Sequence, residues 1–338
     1  MQSLPRYVLE RIGYTLILIL GITLITFFLS HVVPSDPAAL YAGAHPQAAQ
    51  IAAARHRLGL DQPLYIQYLL FLKGLITGNW GLSLRTHNPV LRDLVTFFPP
   101  TLELVIAATV LALVIGVPVG VYASAHPNGI VDGLVRILGA SLLSVPAFWL
   151  ALLLQIVFFG HLHLLPLAGD VSSQYSQNLP SITGFPLLDA LLTGRFSLFL
   201  DELDHLILPA FALAAYPIGL VARMTRANML DTLSSDFILM ARANGYPVRK
   251  IYSRYALKNA IGATLTVLGL IFAFSLTGDF FIELIFFWQG LGIYAVNSIQ
   301  YLDTPAILAV VVIVATAYTV VNLIVDLLRR AIDPRITM

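Results

Sequence analysis

The sequence predicts an all-α integral membrane protein with six transmembrane helices and both termini in the cytoplasm. Three observations predict it. Of 338 residues, 58% are hydrophobic and only 11% charged, with a mean hydropathy of +0.84, whereas soluble domains carry about 25% charged residues. Six apolar stretches are long enough to approach the roughly 20 residues that a spanning helix needs. The loop between the third and fourth stretches is acidic and the loop between the fourth and fifth is basic, which orients the chain by the retention of Lys and Arg on the cytoplasmic side.

The first stretch, Ile12–Val33, follows Arg6 and Arg11. It exceeds the apolar core of a signal peptide and lacks a small-x-small cleavage site after it, so it is read as a retained first span. The second and third are Thr101–Ala125 and Leu134–Phe159. The fourth, Leu206–Val221, is the shortest and most interrupted. Ala263–Ile282 and Ala306–Leu328 complete the set. Gly and Ala are frequent in most of them and favour close helix packing in lipid. Pro118, Pro146, Pro209 and Pro217 lie inside them, which neighbouring helices can accommodate. No alternating ten-residue pattern supports strands.

Between spans four and five lie Arg223, Arg226, Arg242, Arg249, Lys250, Arg254 and Lys258 against Asp231 and Asp236. Between spans three and four lie Asp170, Asp189, Asp201, Glu202 and Asp204 against Arg195. The basic loop is therefore expected inside and the acidic loop outside. The resulting division is a tail with the first span (1–33), an external segment (34–100), a five-helix core (101–328) and a cytoplasmic tail (329–338). The core includes the external loop 161–204 and the internal loop 222–262. The external segment carries a helical piece near Gln47–Leu58 and turn signals at Gly59, Pro63, Gly74, Gly78 and Gly81.

Several chemistries have no residues to run on. Zero cysteines exclude disulfides and thiolate chemistry. The three lysines, Lys73, Lys250 and Lys258, follow Leu72, Arg249 and Leu257, so the Gly-Lys-Ser/Thr of a phosphate-binding loop is missing. Any ATP used must be consumed by another chain. His161-Leu-His163 offers at best a weak metal pair, read as an interfacial coincidence. A membrane enzyme would need convergent polar residues at one depth. An ion-coupled transporter would favour several intramembrane charges and an internal repeat; among the charges only Asp279 stands clearly within a span. An ionisable residue there is a functional candidate by default, and Asp279 could line the path of a cationic amine; a structural role near the outer interface weighs equally.

The most informative segment is Asp236–Lys258, a basic island holding five of the nineteen Lys and Arg residues. It reads as two short helices broken at Gly245 and Pro247. Within it stand Ala241-Arg-Ala-Asn-Gly245 and Ala256-Leu-Lys-Asn-Ala260. Elsewhere, in order, come Pro34-Ser-Asp-Pro37, Leu58-Gly-Leu-Asp-Gln-Pro63, Gly78-Asn-Trp-Gly-Leu-Ser83, Pro100-Thr-Leu-Glu-Leu104, Val145-Pro-Ala-Phe-Trp149, Arg223-Met-Thr-Arg226, Glu283-Leu-Ile-Phe-Phe-Trp-Gln-Gly-Leu-Gly292 and Asp333-Pro-Arg335. In this order the motifs resemble the permease subunits of binding-protein-dependent ABC importers, nearest the first permease of the dipeptide/oligopeptide/nickel group. The island departs from the family loop at Leu239, Met240 and Lys258, and Gln289 stands where the group has proline.

The resemblance implies a type I ABC importer permease fold in a bacterial inner membrane. It implies a non-catalytic subunit that binds no cofactor, paired with a homologous second permease. Two cytoplasmic ATPases would bind ATP and Mg, and a periplasmic binding protein would deliver a di- or oligopeptide; nucleic acid has no place in the system. Nickel chelates and antimicrobial peptides are the alternative cargoes. On this resemblance Asp236, Leu239, Met240, Ala241, Arg242, Ala243 and Gly245 form the coupling helix that meets an ATPase, with Leu239, Met240 and Ala243 as its apolar face. Glu283 and Trp288, with Asp279, become candidates for the substrate path or gate.

Overall fold

A computed structural model describes residues 4–32, 37–42, 46–57, 59–177, 179–278 and 280–332. Asp279 and the 329–338 tail beyond Ile332 lie outside the described residues, as do Pro34-Ser-Asp and Leu58. The helices in chain order are α1 (Leu4–Val32), α2 (Pro37–Ala42), α3 (Ala48–Arg57), α4 (Leu64–Thr77), α5 (Val90–Leu111), α6 (Val117–Ala125), α7 (Ile130–Ser144), α8 (Ala147–Leu154), α9 (Pro186–Leu192), α10 (Phe196–Leu233), α11 (Asp236–Ala243), α12 (Val248–Lys250), α13 (Leu257–Gly278), α14 (Phe280–Phe286), α15 (Leu291–Gln300) and α16 (Thr304–Ile332). Wider π-turns occupy Ala112–Gly116, Gln155–His161 and Ile251–Ala256. Among the described residues there is no strand, only a single bridge between Leu82 and Pro89.

Among the described residues five helical segments are long and apolar enough to cross a membrane: Ile12–Leu29, Val90–Ala125, Phe196–Leu233, Val248–Leu276 and Thr304–Val325. A sixth is reached when α14 and α15 count as one broken span. The set differs from the sequence expectation: the α14–α15 pair was not expected as a span, the expected Leu134–Phe159 is not among the segments long enough, and three others have different limits. The second begins at Val90, and its helix continues through Pro99 and Pro100. Its π-turn falls just ahead of Pro118, where the missing N–H needs relief. The third stretch is two helices, since Pro146 forces Val145 into an extended conformation (φ −83°, ψ 123°). The fourth is the longest, at 38 residues, or about 57 Å at 1.5 Å per residue. Its acidic residues hid its start: Asp201 accepts the Ser172 N–H at 2.7 Å and the Ser172 hydroxyl at 2.5 Å, so the helix carries it without a bare charge. The fifth reaches back through α12, so the second half of the basic island is the foot of a spanning helix.

The chain divides into two compact units. The first, built on 101–288 and 318–332, is centred on α10, which packs against α6, α7, α8, α9, α13 and α14. It is buried along most of its middle, including Leu206, Ala210, Ala212, Ala214, Val221, Ala222 and Thr225, as expected of a helix surrounded by others. Glycines set the closest approach. A Cβ at Gly120 would lie 2.6 Å from the Ala222 carbonyl oxygen, and one at Gly219 would lie 3.3 Å from the Gly139 Cα. At the α6–α7 end, buried Asp132 is gripped by Arg226 through Nε and Nη2, accepts the Asn128 N–H at 2.9 Å, and lies 3.4 Å from Arg136. The Arg226 hydrogen bonds hold its carboxyl below the usual carboxylate range, against the opposing effect of desolvation.

The second unit covers 3–100 and 289–317. Helix α1 meets α4 through Thr23, whose Oγ1 lies 3.0 Å from the Tyr68 hydroxyl, and through Phe27 stacked on Phe71 at 6.0 Å. The 79–89 loop is fixed by two buried carboxylates. Asp303 accepts the Ser83 hydroxyl at 2.5 Å and the Arg85 N–H at 3.2 Å. Asp93 accepts the Thr86 hydroxyl at 2.5 Å and the Asn88 amide at 3.0 Å. Beneath the loop Val90, Leu94, Leu291, Tyr294, Ala306 and Ala309 form a core, with Tyr294 stacked on Phe97 at 5.0 Å.

Candidate functional site

The basic island folds as a short helix lashed to the foot of two long ones. Helix α10 stops at Leu233, and Ser235 adopts an extended conformation (φ −77°, ψ 150°) whose carbonyl accepts from Ile238 and Leu239 at 3.0 and 3.2 Å. Helix α11 then runs to Ala243. Asp236 lies in its first turn and Arg242 in its last, each the favourable sign for the helix dipole. Its end is a Schellman motif. The Gly245 N–H donates to the Arg242 carbonyl at 3.0 Å and the Tyr246 N–H to the Ala241 carbonyl at 3.2 Å, with Gly245 at φ +74°. A Cβ on Gly245 would meet nothing within 4 Å, so the residue is needed for its dihedral and not for space.

Two faces of α11 have opposite fates. Ile238 (0% exposed) and Ala241 (7%), three residues apart, pack inward on Met229, Ile251, Ala256 and Ala260. Leu239 (54% exposed), Met240 (67%) and Phe237 (45%) point outward, with Asp236, Arg242 and Ala243 also exposed. Among the described residues neither Asp236 nor Arg242 makes an ion pair. Leu239, Met240 and Ala243 therefore lie on the expected side. Ala241, also named on the coupling segment, is buried beside Ile238. Sequence reasoning missed Ile238 and Phe237, although the spacing of Ile238 and Ala241 carried the inward face. Beyond Gly245, Tyr246 lies 5.5 Å from the Tyr255 ring and under the Lys250 ammonium at 4.8 Å, which ties the return of the chain to the π-turn.

The second candidate group lies around α14. Glu283 is 3% exposed and accepts the Thr101 hydroxyl at 2.6 Å. Its carbonyl accepts the Trp288 N–H at 2.9 Å, closing α14 through Phe287 at φ +50°. The Trp288 side chain is buried. Gln155 clamps the same region, donating to the carbonyls of Leu167 (2.8 Å) and Ile285 (3.2 Å). Glu283 and Trp288 are thus brought together and fully packed. Nearby, Glu103 accepts the Leu187 N–H at 3.2 Å, and Asp189 on α9 accepts the N–H groups of Ile182, Thr183 and Gly184 and the Thr183 hydroxyl. No group of three His, Asp or Glu residues suited to a metal occurs among the described residues.

A bundle in which five or six described helical segments are long and apolar enough to cross a membrane defines the class, an integral membrane protein. Comparison with known proteins gives the family. The chain belongs to the binding-protein-dependent transport system inner membrane components, whose family model matches residues 116–338. The family's N-terminal model matches residues 4–105. Among curated relatives, a protein named "Probable D,D-dipeptide transport system permease protein" from Escherichia coli K12 is 46% identical over 97% of this chain and 96% of its own length. A dipeptide transport system permease protein of the same strain is 36% identical, and an oligopeptide transport system permease protein of Bacillus subtilis 34% identical, each over 98% of both chains.

Proposed function

We propose that this chain is one of two permease subunits of an ATP-driven importer in a bacterial inner membrane, and that its cargo is a dipeptide or short oligopeptide. Both termini face the cytoplasm, as does the 222–262 loop; residues 34–100 and 161–204 face the periplasm, where a binding protein delivers the solute. Helix α11 is the coupling element. It inserts Leu239 and Met240, flanked by Asp236, Arg242 and Ala243, into a groove on one ATPase, while ATP and Mg stay on that partner. The observation that carries this reading is the split of α11 into a buried Ile238/Ala241 face and an exposed Phe237/Leu239/Met240 face. Apolar side chains left bare beside a row of cations suit a docking surface. The Schellman stop at Gly245 and the ring contacts of Tyr246 make α11 rigid enough to pass a push to α10 and α13, so that ATPase closure rocks the bundle between two packings.

Peptide cargo is supported by the names of the full-length relatives, and the identity of 46% to the D,D-dipeptide system favours short peptides. Glu283 and Trp288 serve as positioning residues that hold the α14 turn, with Asp279 as a candidate for the path itself. The test is uptake into proteoliposomes holding both permeases and both ATPases, with the cognate binding protein outside. Uptake of labelled Ala-Ala, in its L,L or D,D form, should need both ATP and the binding protein. Uptake driven by an ion gradient without ATP would make the chain a secondary transporter instead.

A further inference from the structure

A groove of about 620 Å3 runs beside the basic island, on the flank of α6. One wall is two adjacent rows of α6 and the residue after it: Val117, Val121 and Ala125 beside Pro118, Tyr122 and His126. The other is built by Val248, Arg249, Tyr252 and Leu257. From Val117 to His126 the helical rise spans roughly 13 Å at 1.5 Å per residue. Its chemistry is graded along that length. On α6 the start is aliphatic, whereas the far end carries the Tyr122 ring and the His126 ring 4.5 Å from it, and the facing wall contributes the guanidinium of Arg249. None of the lining residues is acidic, and among the described residues Arg249 makes no ion pair.

Helix α6 is the last part of the Val90–Ala125 segment, which is long and apolar enough to cross a membrane, so the groove runs along its final turns to the level of its end. Aromatic rings and cations at that level mark the headgroup zone, and basic pockets between spanning helices suit anionic headgroups. We propose that this groove binds one anionic phospholipid, an acyl chain lying along Val117, Val121 and Ala125 and the phosphate meeting Arg249 and His126. Charge complementarity, together with continuity with a spanning helix, selects this occupant. The proposal needs only the membrane setting of the α5–α6 span and is independent of how α11 is used.

The full complex is purified and washed with a delipidating detergent, then exposed to mixed micelles of phosphatidylglycerol or phosphatidylethanolamine; native mass spectrometry counts the lipid retained. One phosphatidylglycerol per copy of this chain is expected under conditions that strip phosphatidylethanolamine. Arg249→Gln should lower its apparent affinity at least tenfold, and Ala125→Phe, which fills the groove and leaves every charge, should also release it. Equal retention of the two lipids by the unaltered complex, or no loss in both variants, overturns the proposal. So does a photocrosslinker at Tyr122 that captures the second permease or an ATPase in place of lipid.

Discussion

Gly245 and Asp189 show how single residues fix the segments that matter. At Gly245 the left-handed dihedral is required and the space is open, so Gly245→Ala should cost about 1 kcal/mol of local stability. That loss falls on the α11 stop alone: faster amide exchange is expected at 244–246, with the global melting temperature of the complex nearly unchanged. Phe287 accepts the same left-handed geometry without glycine's freedom, and it does so where Gln155 and Thr101 already hold the surroundings. Asp189 works through charge. Burial pushes its carboxyl up, but the Thr183 hydroxyl and the N–H groups of Thr183, Ile182 and Gly184 together outweigh that and hold it below the usual value. A depressed folded pKa means the stabilisation is present above about pH 4 and is lost as pH falls through the lowered value. Asp189→Asn should remove it at neutral pH, costing about 2 kcal/mol locally. The readout is protease nicking at 182–184: the variant should be cut at neutral pH at a rate the parent reaches only in acid.

At the scale of elements, packing around α10 depends on glycines that admit a neighbouring backbone. Gly120 approaches Ala222 and Thr225 closely, while Gly133 on α7 has nothing within 4 Å of an added Cβ. Gly120→Val should therefore separate α6 from α10 and cost about 1–3 kcal/mol or more. Gly133→Ala should be neutral or slightly stabilising; thermal melts of the purified complex compare the two. The existence of most spans was legible in the sequence because hydropathy reports burial and lipid contact alike. Their limits were not. Helix α10 looked short because Asp201, Glu202 and Asp204 interrupt its hydropathy, yet a carboxylate bonded to Ser172 does not end a helix. The third stretch looked continuous because nothing in a hydropathy window weighs Pro146. The break of the basic island into two helical pieces was legible from Gly245 and Pro247, whereas the burial of Ala241 needed the core formed by Met229 and Ile251, which lie elsewhere in the sequence.

For the whole molecule, we propose that energy enters this permease chain at α11, which is packed on the feet of α10 and α13 and offers Leu239 and Met240 outward. No phosphate-binding loop exists to supply that energy internally, and the family is one of membrane components that work with other proteins. The most direct measurement uses the absence of cysteine from the chain. Met240→Cys gives a single thiol in the assembled importer, with single cysteines placed along the facing groove of a cysteine-free ATPase. Disulfide cross-linking should join the two subunits in high yield, and the bond should block transport until it is reduced. A cysteine at Ile238, buried against Met229, should not cross-link. No cross-link from residue 240 in an assembled, active complex, or a cross-link that leaves transport intact, would rule out α11 as the point where the ATPase acts.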